Sequence, residues 1–311
     1  MLTLCRIDKL PRNFDEYVEE VGIGVEALYG RTASVAYRAS ARKEAAAALA
    51  HPLVDALAMC HGDTAAGMLF GLVRETVGEI FFVHVLGRYA HQGIEQRLVR
   101  ESVRTFRAAG VDGILSEQMP VCVLELENTY ADLGFTKVER LLMTASLDTP
   151  NLRQTGEETT VPCQETDWAE VAEIMVEAYQ DHPGRNLHAE VRSAGDAGSF
   201  LARVISHGYG PTRAAYNRVV RVGKRCAGAV IGCEVAPDVG FVLYAVVRPS
   251  HQNQGLGGRL LREEAAAFRE AGLHRMALGV TAANPARRLY ERLGFTALRR
   301  VEAYTWWRPG S

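Results

Sequence analysis

The sequence lacks the features that mark membrane, nucleic-acid-binding and exported proteins. Its formal net charge is −2 over 311 residues, so no strongly basic surface favours a nucleic-acid partner. No apolar run approaches the roughly 20 residues of a membrane span. The first residues lack the basic segment and following apolar run of a signal peptide. We therefore expect a cytoplasmic protein with no membrane and no nucleic-acid partner.

The cysteines show no pattern of disulfide or metal chemistry. None of the six forms a Cys-x-x-Cys pair, and none lies near a histidine cluster with metal-ligand spacing. His84 and His91 also lack an evident metal or base partner, and we expect a structural or exposed role for both. The sequence therefore predicts no metal site and free, buried thiols in a reducing compartment; the cysteines are Cys5, Cys60, Cys122, Cys163, Cys226 and Cys233.

An internal repeat is the most informative feature that is present. Segments 85–98 and 247–260 lie 162 residues apart and share a valine, a Gln-Gly pair and an Arg-Leu pair. The helix predicted after each segment has five apolar positions and a closing glycine at the same separation. A Tyr-x-x-Leu-Gly-Phe motif then recurs at 130–135 and 290–295. Two unrelated amphipathic helices could share a period, but the flanking motifs favour a duplicated unit.

The repeat and the chain length together predict two domains. We expect one domain at 1–148, a polar linker rich in helix breakers at 149–159, and a second domain at 160–311. Strand-like and helical segments are mixed in both copies. This predicts a mixed α/β (α+β) fold. Each domain is expected to have a mixed central sheet flanked by helices. In the first domain, Ser40 is predicted to be the N-cap of a helix that ends near His51.

The second copy contains a pattern that suits an anion. A predicted strand is followed by Gln252-Asn-Gln-Gly-Leu-Gly-Gly258 and then a helix. Glycine leaves backbone amides uncovered, and the first helical turn carries unpaired N–H donors and a partial positive charge. This layout predicts a phosphate or diphosphate site. A Rossmann turn has different glycine spacing, and a P-loop needs a Gly-Lys-Ser/Thr that is absent here.

The same residues resemble a known family. Val247-x-Pro249-x-x-Gln252-x-x-Gly255-x-Gly257 resembles the acetyl-CoA signature of the GCN5-related N-acetyltransferase (GNAT) superfamily, and 288–295 resembles its downstream motif. The resemblance implies two tandem GNAT-like domains, of which the second binds acetyl-CoA and the first is a degenerate copy. This arrangement is similar to that of mycothiol synthase. Gln252 stands where the family more often has arginine, which removes a charge contact to the cofactor.

The resemblance also implies which residues hold acetyl-CoA. A strand backbone would run beside the pantetheine, the glycine-rich turn would bind the pyrophosphate, and a downstream segment would contact the cofactor arm. Asn284 lies one residue away from the usual place of the family asparagine, which Ala283 occupies here. The expected cofactor-binding residues are Ala245, Val246, Val247, Gln252, Asn253, Gln254, Gly255, Leu256, Gly257, Gly258, Asn284, Ala286, Arg287 and Tyr290.

The expected catalytic residues are Tyr290 and Glu234. By the resemblance, the Tyr290 hydroxyl would protonate the thiolate of CoA as it leaves, although a packing role is the alternative. Glu234 is the best acidic candidate for a general base, with a solvated carboxylate at a strand end as the alternative; Asp238 and Glu177 are weaker candidates. The polar segment 179–198, which contains Asp-His-Pro at 181–183, would lie over the acceptor site or form a plain loop.

The first copy has lost the cradle for a phosphate. Ala90 replaces the glutamine, Glu95 replaces the second glycine, and Leu124 stands where Asn284 would map. Two like charges about 4 Å apart repel by about 4 kcal/mol at an effective dielectric of about 20, so Glu95 would oppose a diphosphate. Tyr130 is kept, and we expect it to pack in the core. The first copy is therefore predicted not to turn over acetyl-CoA.

These observations predict an acyltransferase that takes acetyl-CoA as co-substrate and needs no metal. The expected reaction is direct transfer of acetyl to a primary amine in a ternary complex. The amine is expected to belong to a small molecule, because no strong charge field suggests a macromolecular acceptor. The chain would act as a monomer, a pseudo-dimer of its two domains, or as a homodimer. The alternative is a CoA-responsive binding or scaffold protein with little catalytic activity, since no general base is evident.

Overall fold

The computed structural model describes residues 1–119, 121–122, 124–153 and 160–310. Its strands, in chain order, are β1 Thr3–Arg6, β2 Val54–His61, β3 Thr64–Arg74, β4 Val77–Val85, β5 Gly113–Glu117, β6 Thr136–Ser146, β7 Thr160–Pro162, β8 Arg218–Val222, β9 Arg225–Ala236, β10 Val239–Val247, β11 Arg275–Thr281 and β12 Thr296–Trp307. Its α-helices are α1 Phe14–Tyr29, α2 Arg31–Ala50, α3 Ile94–Ala108, α4 Glu127–Asp132, α5 Pro150–Arg153, α6 Trp168–Tyr179, α7 Ala194–Ile205, α8 Leu256–Glu270 and α9 Arg287–Arg292. The predicted mixture of strands and helices is confirmed.

The chain forms two compact units. Unit 1 comprises Met1–Glu139 and the C-terminal residues from Val301, and unit 2 comprises Arg140–Arg300. The units are defined by contacts in space, and their boundaries fall inside β6 and β12. Each of these strands is therefore divided between the two units. The domain limits 1–148 and 160–311 come from the two copies in the sequence and remain a prediction. Of the expected linker at 149–159, Pro150–Arg153 is helical, and 154–159 lies outside the described residues.

Each unit is built on a sheet with one parallel pair of strands. In unit 1, β1 to β5 pair in sequence order, and residues 303–307 of β12 pair antiparallel with β5. In unit 2 the order is β6, β11, β10, β9, β8 and β7, with residues 140–146 of β6 antiparallel to β11. The parallel pairs are β4 with β5 and β10 with β11. This mixed sheet in each unit is the expected fold class.

One packing contact recurs in both units at the spacing of the sequence repeat. In unit 1 a Cβ added to Gly78 of β4 would lie 2.5 Å from the Phe106 ring of α3, and in unit 2 a Cβ added to Gly240 of β10 would lie 2.5 Å from the Phe268 ring of α8. Both rings are fully buried, and burying one stabilises the fold by roughly 1.5–3 kcal/mol. Only glycine allows the ring to lie this close to the strand.

One local prediction proves wrong, and the structural role expected for His84 gains its contacts. Ser40 is not a helix N-cap, because it lies inside α2, and its hydroxyl donates to the carbonyl of Tyr37. Helix α2 begins instead after Gly30, whose φ of 87° breaks the chain between α1 and α2. His84 does have partners: its Nδ1 lies 3.2 Å from Cys122 Sγ and its Nε2 lies 3.1 Å from Glu20 Oε2. The sequence could not place these three side chains together because they come from distant segments.

The six cysteines are free thiols, as predicted, and four of them are buried. Within the described ranges, no helix is long and apolar enough to span a membrane. The same residues contain no group of three or more His, Cys, Asp or Glu side chains arranged to hold a metal ion.

Glu264 is an unusual core residue of unit 2. It lies on the inner face of α8 with no exposed surface, and neither carboxylate oxygen has a hydrogen-bond partner in the described chain. Burial raises the pKa of this carboxyl well above its usual value. The folded protein therefore holds a proton on Glu264 in a pH range where the unfolded chain has lost it.

Replacing Glu264 by glutamine should stabilise the protein in a pH-dependent way. Below the ordinary glutamate pKa of 4.5 both states carry the proton, so the difference in stability between E264Q and the parent should not change with pH. As the pH rises above that value the parent alone loses stability, by up to about 1.4 kcal/mol for each pH unit until the folded-state pKa is reached. Urea unfolding across this range measures the difference. The matched control is E270Q, an exposed position on the same helix, whose difference from the parent should not change with pH.

Candidate active site

A cleft opens in unit 2 where the parallel strands separate. β10 pairs with β11 from Val239 to Val242, opposite Arg275 to Leu278, but both strands continue beyond the last pair. The facing edges of 243–247 and 279–281 therefore diverge. A cleft of about 740 Å³ lies between them, within unit 2, which is a typical volume for a small-molecule site.

The cleft connects the two faces of the sheet. A bulge in β10 shifts its register between Val242 and Tyr244, so that Val242, Ala245 and Val247 pack toward α8. Tyr244 and Val246 pack toward α6 and α7 on the other face. The cleft is lined from the first face by α8 and α9, and from the second by the end of α6 and the loop after it. Two reactants can thus approach one point from opposite sides.

The start of α8 and the turn before it, residues 252–258, have the backbone arrangement that the sequence predicts for an anion site; this segment is the α8 cradle. Gly255 adopts φ 79° immediately before the helix, and Asn253 adopts φ 60°. No described residue accepts a hydrogen bond from the amides of 255–258, so these donors are available to an anion. A Cβ added to Gly257 would lie 3.3 Å from Leu289 Cδ2, so a side chain at this position would also crowd the start of the helix. The site therefore fits a diphosphate.

The polar side chains around the cradle have defined partners. Gln252 Nε2 donates to the carbonyl of Val247 at 3.2 Å, so this side chain closes the turn after β10. Asn284 Oδ1 accepts from the amide of Ala286 at 2.8 Å, and Asn284 is also hydrogen-bonded to His182. Asn284 thus fixes the approach to α9 and one side of the cleft.

Tyr290 is placed differently from its counterpart in the first copy. It is buried but lines the cleft, and its hydroxyl has no hydrogen-bond partner among the described residues. Burial raises the pKa of Tyr290 to about 12, which keeps the phenol protonated at neutral pH. The hydroxyl of Tyr130, in contrast, lies 2.6 Å from Ser116 Oγ, and its ring stacks on Tyr304 with centroids 4.1 Å apart. Tyr130 therefore packs in the core.

Most of the predicted cofactor residues meet at the cleft, and two do not. Gln254 is exposed beside it, with Nε2 3.4 Å from the carbonyl of Ser250, and Arg287 forms an ion pair with Glu291 at 2.7 Å. Arg288 lines the cleft instead of Arg287. The residues that line it as expected are Ala245, Val246, Val247, Gln252, Asn253, Gly255, Leu256, Gly257, Gly258, Asn284, Ala286 and Tyr290.

The structure does not bring Glu234 to the cleft. It pairs with Gly240 near the start of β10, roughly 20 Å along the strand from Val246 at about 3.3 Å per residue. Its carboxylate accepts a hydrogen bond from Tyr216 at 2.7 Å and forms an ion pair with Arg213 at 3.2 Å. This placement does not support the predicted role of Glu234 as a base. Asp238 likewise pairs with Arg275 at 3.0 Å.

Glu177 does line the cleft, but its carboxylate is engaged. It forms an ion pair with the buried Arg248, whose Nε also donates to the carbonyl of Cys226 at 2.9 Å. Arg248 follows directly after β10, so this pair links α6 to the end of that strand. The contact suits a structural role for Glu177.

A cluster that residue-by-residue reasoning missed lies at the second face of the cleft. Tyr244 Oη is 2.8 Å from His188 Nδ1 and donates to Glu190, and His188 Nδ1 is 3.2 Å from Glu190 Oε1. The Tyr179 ring lies 5.2 Å from His188 and 4.4 Å from His182, measured between centroids. The only signal in the sequence was the polar segment 179–198. The cluster forms because that segment folds back over β10.

The charge state of this cluster follows from its contacts. Burial acts to raise the pKa of Glu190, but the hydrogen bonds from His188 and Tyr244 outweigh it and lower the pKa to about 2. Burial also raises the pKa of Tyr244 well above its usual value. Burial and the nearby His188 lower the pKa of His182. At neutral pH, Glu190 is therefore ionised, Tyr244 is protonated and His182 is neutral.

Comparisons with known proteins agree with this geometry. Residues 168–295 match the family described as the acetyltransferase (GNAT) family. A GCN5-related N-acetyltransferase from Sphaerobacter thermophilus shares the fold with a TM-score of 0.69 and 15% identity, over 99% of this chain and 97% of that one. A tandem GNAT protein from the clavulanic acid biosynthesis pathway gives a TM-score of 0.61 and 16% identity, over 99% and 98%. Comparison with curated sequences gives no significant match.

Residues 168–295 therefore match the acetyltransferase (GNAT) family, and the whole chain shares the fold of tandem GNAT proteins. The matched family consists of acetyltransferases. At the identities found, the two solved structures establish the fold alone.

Gly257→Glu should abolish acetyl-CoA binding. It places a carboxylate at the cradle, as Glu95 does in the first copy, and the repulsion should weaken binding by at least about 100-fold. Isothermal titration with acetyl-CoA measures the loss. Gly257→Gln has nearly the same size without the charge and should bind more tightly than the glutamate variant. Thermal unfolding should show both variants folded, and a normal affinity in Gly257→Glu would mean that the diphosphate binds elsewhere.

Proposed function

We propose that this protein is an N-acetyltransferase that transfers acetyl from acetyl-CoA to a primary amine of a small molecule, directly and within one ternary complex. The observation that carries the proposal is the cleft at the separated strands, which joins the α8 cradle to Tyr290 and to the polar cluster at the other face. Nothing in this arrangement demands an acyl-enzyme intermediate. Cys226 and Cys233 are buried in β9, and burial raises the pKa of both thiols.

Each part of the cleft has a chemical task in this reaction. The amides of 255–258 hold the diphosphate, and the free edge of β10 from Ala245 to Val247 offers backbone hydrogen bonds to the pantetheine arm. Tyr290 donates its proton to the sulfur as the carbon–sulfur bond breaks. Its hydroxyl is suited to this task because no described residue holds the proton.

A small acceptor suits the dimensions and lining of the cleft. Its volume must take the acetyl-bearing end of the co-substrate and the amine together, which leaves room for a small molecule. The acceptor side is lined by aromatic and imidazole rings from Tyr179, His182, His188 and Tyr244. These rings supply apolar surface and hydrogen-bonding atoms for orienting a small polar amine.

The first copy contributes no second active site in this proposal. In unit 1, β4 and β5 pair up to Ile80 and Ser116, and β5 ends at Glu117, so only β4 continues well beyond the last pair. His84 of β4 bridges Glu20 of α1 and Cys122. Glu20 also accepts a hydrogen bond from the amide of Gly87 at 3.0 Å. These contacts tie the end of β4 to the surrounding chain, and Glu95 stands at the position of Gly257.

Tyr290→Phe tests the proposed chemistry. Thiol release from acetyl-CoA is first measured over a panel of polyamines, amino acids and aminoglycosides, and the parent should turn over at least one of them. The variant should lose about 10²–10⁴-fold in kcat, since it lacks the proton donor. Its affinity for acetyl-CoA, measured by titration, should stay within a few-fold. Binding without thiol release by the parent would instead favour the scaffold alternative.

Restoring one residue of the degenerate cradle should not restore its function. Glu95→Gly removes the carboxylate from unit 1, but Ala90 and Leu124 still stand at the positions of Gln252 and Asn284. In the Gly257→Glu background, where unit 2 no longer binds, Glu95→Gly should therefore show no heat of acetyl-CoA binding. A titration signal in this double variant would show that unit 1 keeps a usable site.

A further inference from the structure

We propose that His188 is the general base of the reaction and that Glu190 and Tyr244 position it. This inference rests on the proposed function and supplies the group that removes the proton from the attacking amine. It replaces Glu234, whose carboxylate is bound by Tyr216 and Arg213 away from the cleft.

The hydrogen bonds of His188 fix where its proton lies. Its Nδ1 faces two oxygens, Tyr244 Oη at 2.8 Å and Glu190 Oε1 at 3.2 Å. The ionised carboxylate of Glu190 only accepts, and Tyr244 donates its single proton to it. Both oxygens near Nδ1 therefore act as acceptors, so Nδ1 carries the proton. Nε2 is left with a lone pair on a ring that lines the cleft.

His182, the neighbouring imidazole, is held in the opposite state. Its Nδ1 accepts a hydrogen bond from the amide of Gly184 at 2.9 Å, so the proton of the neutral ring lies on Nε2. The ring is also hydrogen-bonded to Asn284. With one nitrogen accepting and the other protonated, His182 has no lone pair to offer a substrate. It can hold the cleft wall and Asn284 in place, but it cannot act as the base.

His188 and Tyr290 occupy the two sides of the reaction centre. Tyr244, which positions His188, packs on the α6 and α7 face of the sheet, whereas Tyr290 packs on the α8 face. The cleft between β10 and β11 joins the two. His188 can therefore meet the amine on one side while Tyr290 meets the sulfur on the other.

The proton transfers balance in this arrangement. As the bond forms between the amine nitrogen and the acetyl carbon, Nε2 of His188 takes one proton from that nitrogen. As the carbon–sulfur bond breaks, Tyr290 gives one proton to the sulfur. The imidazolium and the tyrosinate then return to their starting states by exchange with solvent. One neutral amine and one thioester give one amide and one thiol.

Several charged and titratable groups surround His188. Glu190 and His182 lie on its own loop, Tyr179 ends α6, and Tyr244 lies on β10. The guanidinium of Arg140, on β6, acts on both phenols and lowers their pKa against the larger effect of burial. Of these groups, Glu190 contacts the Nδ1 side of the ring with a full negative charge. Glu190 therefore orients the His188 ring and places a negative charge beside it.

The test combines pH–rate profiles with variants at three positions. His188→Gln should lower kcat by about 10²–10⁴-fold and remove the acidic limb of the kcat/KM profile, with acetyl-CoA affinity unchanged. Glu190→Gln removes the charge that stabilises the imidazolium, so the acidic limb should move to lower pH. His182→Gln should change the rate but leave the position of that limb. The matched control is His274→Gln, an exposed position outside the cleft, with parental rate and profile.

The outcomes separate this inference from the proposed function. If the parent is active and His188→Gln keeps the parental rate and acidic limb, the role of His188 is overturned and the proposed function stands. If the acidic limb of the pH–rate profile does not move in Glu190→Gln, the carboxylate has only a structural role. The proposal that Glu190 positions the base is then overturned. Nitrogen NMR of the His188 ring needs no acceptor: a proton on Nδ1 supports the inference, and a proton on Nε2 overturns it. Absence of thiol release from the parent with every amine overturns the proposed function and the role of His188 with it.

Discussion

The site depends on one interruption of backbone hydrogen bonding. After Val242 and Leu278, β10 and β11 stop pairing although both strands continue. Unpaired strand edges inside a sheet leave N–H and C=O groups that need other partners. In unit 2 the free edge of β10 lies in the cleft, where the proposed function places the pantetheine arm. In that proposal the α8 cradle and Tyr290 can act on one acetyl-CoA molecule because this opening lies between them.

The two units show how one scaffold can support or lose a site. Both keep a parallel pair of strands and the phenylalanine packed on a strand glycine. These features maintain the core, so they survive in either copy. In unit 1 a buried histidine bridges a carboxylate and a thiol, and a glutamate replaces the cradle glycine. The first copy thus keeps the scaffold but not the bare glycine-rich turn.

Local patterns carried much of the prediction. The glycine-rich turn and the apolar period of α8 lie close together in sequence, and backbone geometry fixes their arrangement, so the cradle could be located from the chain alone. Ser40 shows the limit of such reasoning, since a good N-cap residue can lie inside a longer helix when Gly30 already supplies the break. Arg287 shows another limit. The neighbouring Arg287 and Arg288 of α9 point in different directions: Arg288 lines the cleft, whereas Arg287 pairs with Glu291.

The sequence by itself determined the duplication, the mixed α/β architecture and the position of the glycine-rich turn before α8, because each can be recognised from patterns along the chain. Only the tertiary structure decided which acidic and imidazole groups face the reaction. Glu234 is near Tyr244 in sequence, yet the register of β9 and β10 carries it to the far end of the strand. His188 and Glu190 reach Tyr244 across more than fifty residues, through a loop whose path depends on packing against β10. Long-range contacts of this kind depend on the packing of the whole core, so no local sequence pattern predicts them.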